Sequence, residues 1–411
     1  MASPCPARAL TISAGCLDGR VSALRRPLAS ILSALLASAA LLGGARSEEA
    51  PRLTVAGPEE IVVAAETMTC RGKRRPGIDV TGIPPTAYRR DDGTVVMIAG
   101  NRNNFHFEGP DLDRVRRASC TSLLEPVNDP DPGRFRSHEW LAALHSRDGR
   151  RVLGFVHHEY HGHEHGHPGC VFTNRQDYPC WYGSVTLVTS EDGGRTFSRP
   201  PPAENVLLSL PRPFREGAKR SGVVLPKVVG NPKDGKVYVF GTFVDRNRRG
   251  RGGQCLLRGS GESVGDWERW DGERFQRFDS NPYGCSGACT GRLDPCVTVI
   301  PGNIFSVRYI PAHDRFVALG MSREGVVYRL SPDLVRWSEE RSLWETTINA
   351  NWRSGDPSPG WYFSLLDPTS SSRNFDTLEE RPYLYFVRFR VANDRIVNAR
   401  RDVVRVPLRI D

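Results

Sequence analysis

The stretch HHEYHGHEHGHPGC, His157 to Cys170, holds six of the ten histidines of the chain. If Gly154 to His161 forms a strand, His157, Glu159 and His161 share one face, and His158 and Tyr160 share the other. Same-face neighbours lie about 6.6 to 6.8 Å apart along a strand. Two such imidazoles can converge on one ion when a third ligand arrives from elsewhere. The candidate metal ligands are His157, His161 and His163, and zinc or copper suits imidazole donors. The other reading needs no cofactor: His163, His165 and His167 decorate a mobile loop broken by Gly162, Gly166 and Pro168.

Glu159 is also a candidate catalytic acid, flanked by Tyr160 and His161 as substrate-binding groups. Glycosidic cleavage needs two carboxyl groups, one to donate a proton and one to act as base or nucleophile. The partners available in other parts of the chain are Asp79 in GIDVTG and Asp367 in YFSLLDP. Sugar rings are held by aromatic faces and planar donors. Trp181 and Tyr182 offer the first; Gln254 and Arg258 in GGQCLLRGS offer the second, an arginine fork being suited to an acidic sugar. The competing structural roles are turn-capping for the acids and packing between sheets for the aromatics.

These residues sit in a chain where helical periodicity is scarce and strand-like runs ending in turn signals recur. Hairpins are expected about Asp92-Gly93, Asp148-Gly149, Asp192-Gly194, Asp234-Gly235 and His313-Asp314. Thr189 to Phe197, TSEDGGRTF, reads as a tight turn with a second strand beginning at Thr196. Further strands are expected in Gly325–Glu340, Tyr383–Val391 and Arg395–Leu408. The early turns recur roughly every 40 to 55 residues, the spacing of a repeated β unit. The expected fold is all-β, a five-bladed β-propeller, with a six-bladed arrangement as the alternative.

Of the 411 residues, Gly (40) and Pro (31) exceed a sixth, which fits many turns. The net charge of +9 comes from scattered basic residues with no interleaved aromatics, so nucleic acid is not an expected partner. No G-x-S-x-G elbow or phosphate-cradling loop is present, which argues against serine-nucleophile and nucleotide chemistry. Arg20, Arg25 and Arg26 precede the apolar run Pro27–Leu42, and Ala45 and Ser47 flank a cleavage point. Residues 1–47 therefore read as a signal peptide, 48–75 as a lead-in and 76–411 as one propeller domain, secreted or periplasmic. The apolar run is short of the ~20 residues of a spanning helix, so no stable membrane insertion is expected after cleavage. Eight cysteines follow the leader, an even number that favours disulfides after export. Cys170 with Cys180 closes a short loop. Zinc at Cys285, Cys289 and Cys296 is disfavoured, since no C-x-x-C pair or nearby histidine accompanies them.

Ser190, Asp192, Gly194, Thr196 and Phe197 resemble the Asp-box of sialidases and related propellers, a structural turn between outer strands of a blade. SPDLVRW, Ser331 to Trp337, is similar to a turn of five-bladed sugar-processing propellers. AYRRDDG, HHEYHG, CWYGSVTLVTSEDGGRTF, GGQCLLRGS and SLLDPTSSSRNF resemble secreted bacterial propellers of the glycosyl-hydrolase-like, family 43/32 type. The F/Y-R-I-P stretch of true sialidases is absent. The resemblance implies a propeller that acts on carbohydrate, a glycoside hydrolase with paired carboxylates in an axial pocket. A non-catalytic glycan- or protein-binding propeller is the second reading, and a metal-binding periplasmic protein the third.

Overall fold

Short strands closed by Asp-Gly turns make up nearly all the regular structure. A computed structural model describes residues 50–68, 81–125, 127–171, 179–246, 252–284, 296–347, 352–355 and 359–411. The leader, Asp79, Cys285 and Cys289 lie outside the described residues.

Two N-terminal strands, β1 (Leu53–Val55) and β2 (Glu60–Val63), are followed by five antiparallel meanders among the described residues, the second and third joined into one ten-stranded sheet by a parallel pairing of Ser221 and Gly222 with Tyr182 and Gly183. The first is β3 (Thr86–Arg89), β4 (Val95–Ile98), β5 (His106–Gly109) and β6 (Arg116–Arg117). The second is β7 (Glu139–His145), β8 (Val152–His161) and β9 (Trp181–Ser190), with the short edge β10 (Val206–Leu208). The third runs β11 (Ser221–Gly230), β12 (Val237–Asp245), β13 (Gly253–Gly259), β14 (Glu268–Trp270) and β15 (Phe275–Arg277), with β16 (Thr298–Pro301) also on β13. The fourth is β17 (Ile304–Ile310), β18 (Arg315–Met321), β19 (Gly325–Ser331) and β20 (Arg341–Glu345). The fifth is β21 (Gly360–Leu366), β22 (Tyr383–Ala392) and β23 (Arg395–Ile410), and both β1 and β2 pair with β23. The N-terminal strands thus complete the sheet begun by the C-terminal end. No helix among the described residues is long and apolar enough to cross a membrane.

The sequence explains the meanders locally. Side chains of a strand alternate between faces, and these strands are apolar on both. In β4, Val95 and Met97 face the fifth meander while Val96 and Ile98 face the second. Four of the five expected hairpins form, about Asp92-Gly93, Asp148-Gly149, Asp234-Gly235 and His313-Asp314. At the second, Asp148 Oδ1 accepts the main-chain N–H groups of Arg150 and Arg151 (2.9 and 2.8 Å), and Gly149 takes φ +86°. A Cβ on Gly149 would meet the Asp91 nitrogen at 2.3 Å, because the Gly149 turn packs on the turn of the first meander.

Five apolar layers separate the sheets. They join the first meander to the second, the second to the third, the third to the fourth, the fourth to the fifth, and the fifth to the first. The leading strands β3, β7, β11, β17 and β21 touch in that order, and β21 touches β3 again. Four of these five carry a register shift: at Leu141/Ala143, Val224/Lys227, Ile304/Ser306 and Trp361/Ser364. Such bulges re-aim side chains and are frequent beside functional sites.

Two expectations need correction. No strand begins at Thr196; only an isolated bridge pairs Thr189 with Ser198. Pro200, Pro201 and Pro202 follow, and proline cannot donate to a ladder. Gly325–Glu340 contains one strand rather than two, since β20 starts at Arg341. The TSEDGGRTF turn itself is tied as expected. Asp192 Oδ1 accepts from the N–H groups of Arg195 and Thr196 (2.9 and 3.0 Å), and Ser190 Oγ accepts from Gly194 (2.8 Å). Phe197 packs between the first two meanders. The Cys170–Cys180 disulfide is present with a second, Cys255–Cys296, so Cys296 is no zinc ligand.

Candidate functional site

Strand β8 turns its alternation into a cluster. Its pairing sets His157 opposite Val185, Glu159 opposite Gly183 and His161 opposite Trp181. The face bearing His157, Glu159 and His161 looks toward the start of the neighbouring leading strands. His157 Nε2 donates to Glu159 Oε1 (2.7 Å), and His161 Nε2 donates to Glu159 Oε2 (2.7 Å). The main-chain N–H of Leu225, in the β11 bulge, donates to His157 Nδ1 (2.8 Å). That contact needs a lone pair on Nδ1, so the network assigns the His157 proton to Nε2.

Beyond His161 the chain turns through a 3-10 segment, Gly162–His165, which places Glu164. Glu164 Oε1 lies 3.1 Å from His161 Nδ1, and Glu164 Oε2 lies 2.7 Å from His138 Nε2. His138 precedes β7 in a left-handed conformation (φ +47°). Its ring stacks on His161 at 4.1 Å between centroids and lies 6.1 Å from Trp140. Trp140 Nε1 donates to Asn101 Oδ1 of the first meander (3.2 Å). Tyr362, in the β21 bulge at φ +57°, is close enough to feel the Glu159 charge. Groups of the second and third meanders therefore bond one another here, with Asn101 of the first meander bonded to Trp140 beside them and Tyr362 of the fifth within electrostatic range.

The electrostatics follow from this packing. Burial works against the Glu159 charge, but the hydrogen bonds from His157 and His161 hold its carboxyl well below the usual range. Burial also opposes charge on Glu164, yet its contacts with His161 and His138 hold it at about 2. Burial, then the neighbouring His161 and Arg102, push His138 down to about 4. Tyr362 is raised by burial. His161 is the pivot: both ring nitrogens face carboxylate oxygens, while a neutral imidazole has one N–H. One of the two contacts requires a second proton or a cation.

The other expected residues lie in varied places. Asp367 follows the far end of β21, five residues or roughly 16 Å of extended chain from Tyr362. Its Oδ1 accepts from Thr369 N and Oγ1 (2.8 and 2.6 Å) and its Oδ2 from the Glu379 and Arg381 amides (2.6 and 3.2 Å). It caps a turn and is not brought to Glu159. Tyr160 points to the opposite face of β8, where its hydroxyl donates to the Pro130 carbonyl (2.8 Å). Tyr182 donates to the Arg212 carbonyl (2.7 Å) inside a small core cluster, and Trp181 is buried beneath the Arg220 guanidinium (4.3 Å). Gln254 is buried against Lys227, and Arg258 bonds Glu268 (2.9 Å) over the Phe275 ring. None of these five belongs to the cluster's hydrogen-bond network.

The histidine loop is packed rather than loose. His163 stacks on His161 (5.8 Å), His165 on Tyr160 (4.8 Å), and His167 contacts Glu216 (3.4 Å). Of the three expected metal ligands, His161 belongs to the one ligand-spaced group among the described residues, with His138 and Glu164. His157 has both nitrogens engaged by Leu225 and Glu159. His138 and Glu164 went unnoticed in the sequence. Glu164 sits inside the histidine stretch, the one signal it carried, and His138 carried none.

No family model matches the chain, and no curated protein matches it. Solved structures do. Zg3597, a family 117 glycoside hydrolase of the marine bacterium Zobellia galactanivorans, is 10% identical over 89% of this chain and 91% of that one, with a TM-score of 0.48. The catalytic domain of a GH62 α-L-arabinofuranosidase of Coprinopsis cinerea is 11% identical over 87% and 97%, TM-score 0.45. The α-L-arabinofuranosidase PaAbf62A of Podospora anserina is 12% identical over 88% and 97%, TM-score 0.43. These are glycoside hydrolases, the group the sequence motifs resemble. The likeness concerns the general course of the chain and carries nothing about residues or reaction.

Proposed function

We propose that the protein is an exported five-bladed β-propeller that acts on carbohydrate as a glycoside hydrolase, with its working centre at the Glu159–His161–Glu164 cluster. The observation that carries this reading is the hydrogen-bonded cluster of two carboxylates and three imidazoles where the second and third meanders meet. A separated carboxylate pair of Glu159 with Asp367 is set aside, because Asp367 caps a turn elsewhere. Glu159 stays charged, largely covered by His157 and His161, and fixes His161. His161 then presents a proton or cation at Nδ1, on the side of Glu164 and His163, the less buried side of the cluster. A positive centre there assists departure of a glycosidic oxygen, which develops negative charge as the bond breaks. Export is supported by the basic, apolar and small-residue order of the leader and by the disulfides.

A non-catalytic glycan-binding role is favoured by one observation: both Glu159 oxygens are occupied by imidazoles, leaving no free base there. A chromogenic-glycoside screen beside a glycan array, on wild type and Glu159→Gln, separates the two. Turnover by wild type that falls at least about 100-fold in the variant supports the hydrolase. Binding without turnover supports the binding role, and neither from wild type overturns both.

A further inference from the structure

We propose that His138, His161 and Glu164 form a binding site for one divalent transition-metal ion, zinc foremost. Their ligand atoms lie within 4.8 Å of one another. The three come from independently anchored pieces of chain. His138 is held by stacking against His161 and by the left-handed turn into β7. His161 ends β8, one of the two ten-residue strands of its meander. Glu164 sits in a 3-10 turn whose base is closed by the Gly162 amide donating to the Cys180 carbonyl (3.0 Å) and by the Cys170–Cys180 disulfide.

The surroundings fix the tautomer a metal needs. A ligating imidazole binds through one nitrogen and donates its other N–H to a carboxylate or carbonyl. His161 has that arrangement: Nε2 donates to Glu159, leaving the Nδ1 lone pair toward Glu164. Glu159 is itself oriented by His157, and His157 by the Leu225 amide. A chain of four groups thus runs from a main-chain amide to the lone pair. The contact of Nδ1 with the Glu164 oxygen at 3.1 Å needs either a second proton on His161 or a cation between the two. Two imidazoles and one carboxylate suit zinc, and copper next, better than calcium or magnesium, which take oxygen ligands. Three protein ligands leave a fourth position for water or substrate.

The inference takes its place in the fold from the proposed working centre. Metal binding is read without any glycoside, so failure of the site and failure of the hydrolase reading are told apart. The experiment uses tag-free protein dialysed against chelator and titrated with zinc by calorimetry, with bound metal counted by elemental analysis. Wild type is expected to hold one equivalent. Glu164→Gln and His138→Gln each lower affinity at least about 100-fold, and Glu159→Gln lowers it about 10- to 100-fold through the His161 orientation. His163→Gln stays within about threefold, since its nitrogen is no member of the group. Copper-loaded wild type shows two-nitrogen hyperfine structure in electron paramagnetic resonance. Metal-free melting curves check each fold. Glu164, partly exposed, is the substitution that carries the test if His138→Gln does not fold. Less than one equivalent in wild type, or Glu164→Gln binding as tightly as wild type, overturns the proposal and leaves a cluster held by protons alone.

Discussion

His157 and Glu159 lie two residues apart on one face of β8 and are hydrogen-bonded at 2.7 Å, with the imidazole held from behind by the Leu225 amide. The contact couples two meanders that also share the short parallel pairing of β9 with β11: Leu225 is in the β11 bulge of the third meander, Glu159 in the second. Replacing His157 by leucine strands two polar groups at once, a buried carboxylate oxygen and a main-chain N–H. Hydrogen bonds to charged groups are worth about 1.5–3 kcal/mol, and an orphaned buried donor adds to that. His157→Leu should lower unfolding stability by about 3 kcal/mol, measured by urea titration. A loss under about 0.5 kcal/mol would show that the chain from Leu225 to Glu159 does not hold these sheets together.

The two motif turns make a paired prediction. Each follows the third strand of its meander, β9 and β19. Asp192 accepts from two main-chain N–H groups, and Asp333 Oδ1 does the same for Val335 and Arg336 (3.1 and 2.8 Å). Asp192 is further held by Thr196 Oγ1 (2.6 Å), and its turn receives Tyr88 Oη and Arg90 Nε at the Gly193 carbonyl, both at 2.7 Å. Both turns therefore bridge meanders, the second through Lys233 Nζ donating to the Pro332 carbonyl (2.9 Å) and Trp337 against Phe240, but the Asp192 turn is tied by more bonds. Asp192→Ala should destabilise by about 2 kcal/mol and Asp333→Ala by about 1 kcal/mol, with glycoside turnover and zinc affinity unchanged in both. Thermal melts beside the activity screen read this out; a fall in turnover at full stability would contradict a structural role.

Sequence reasoning reached the strands and turns because their causes are local. Asp-Gly pairs need only a neighbouring N–H and a left-handed residue, and apolar runs of period two need only a sheet on each side. Putting His157, Glu159 and His161 on one face followed from alternation alone. The partners did not follow. His138 and Glu164 reach His161 through the β7–β8 register and a turn closed by a disulfide, and neither relation is written in nearby residues. Asp367 shows the converse. An acid after a buried-looking run reads the same at either end of a strand, and only the tertiary arrangement tells which end meets the cluster. Trp181 and Tyr182 were chosen for their rings, but a propeller-like stack of sheets fills its interfaces with rings too.

The Cys170–Cys180 disulfide closes ten residues and pins the turn that carries Glu164. In the loop-entropy account such a link is worth about 2 to 3 kcal/mol. A Cys170→Ser, Cys180→Ser double variant should unfold that much more easily. Its zinc affinity should drop while that of a Cys255→Ser, Cys296→Ser variant does not, since the second disulfide lies in the third meander. Calorimetric titration of both, at matched fold content, makes the comparison. Equal losses would mean that general loosening, rather than placement of Glu164, is at work.

Lys227 gives a pH signature of the fold itself. Its ammonium is buried between the third meander's strands, bonded to Thr242 Oγ1 (2.5 Å) and Gln254 Oε1 (3.2 Å), with no carboxylate in the contact. Burial pushes it from its ordinary value of 10.5 down to about 7. Between those pH values the unfolded chain binds a proton that the folded chain does not, so raising pH across the window favours folding. The slope approaches about 1.4 kcal/mol per pH unit inside the window and vanishes below about pH 7, where both states are charged. Above about pH 10 the buried phenols Tyr88 and Tyr385, raised to about 12 chiefly by burial, act in the opposite direction, because the unfolded chain then loses protons first. The measurement belongs between pH 7 and 9.5. Urea midpoints of wild type should climb over that range, while those of Lys227→Met stay nearly flat and start higher at pH 7. Thr242 and Gln254 lie 3.3 Å apart and can bond each other in the variant. Parallel curves for the two proteins would place the Lys227 amine in water, contrary to its position in the sheet.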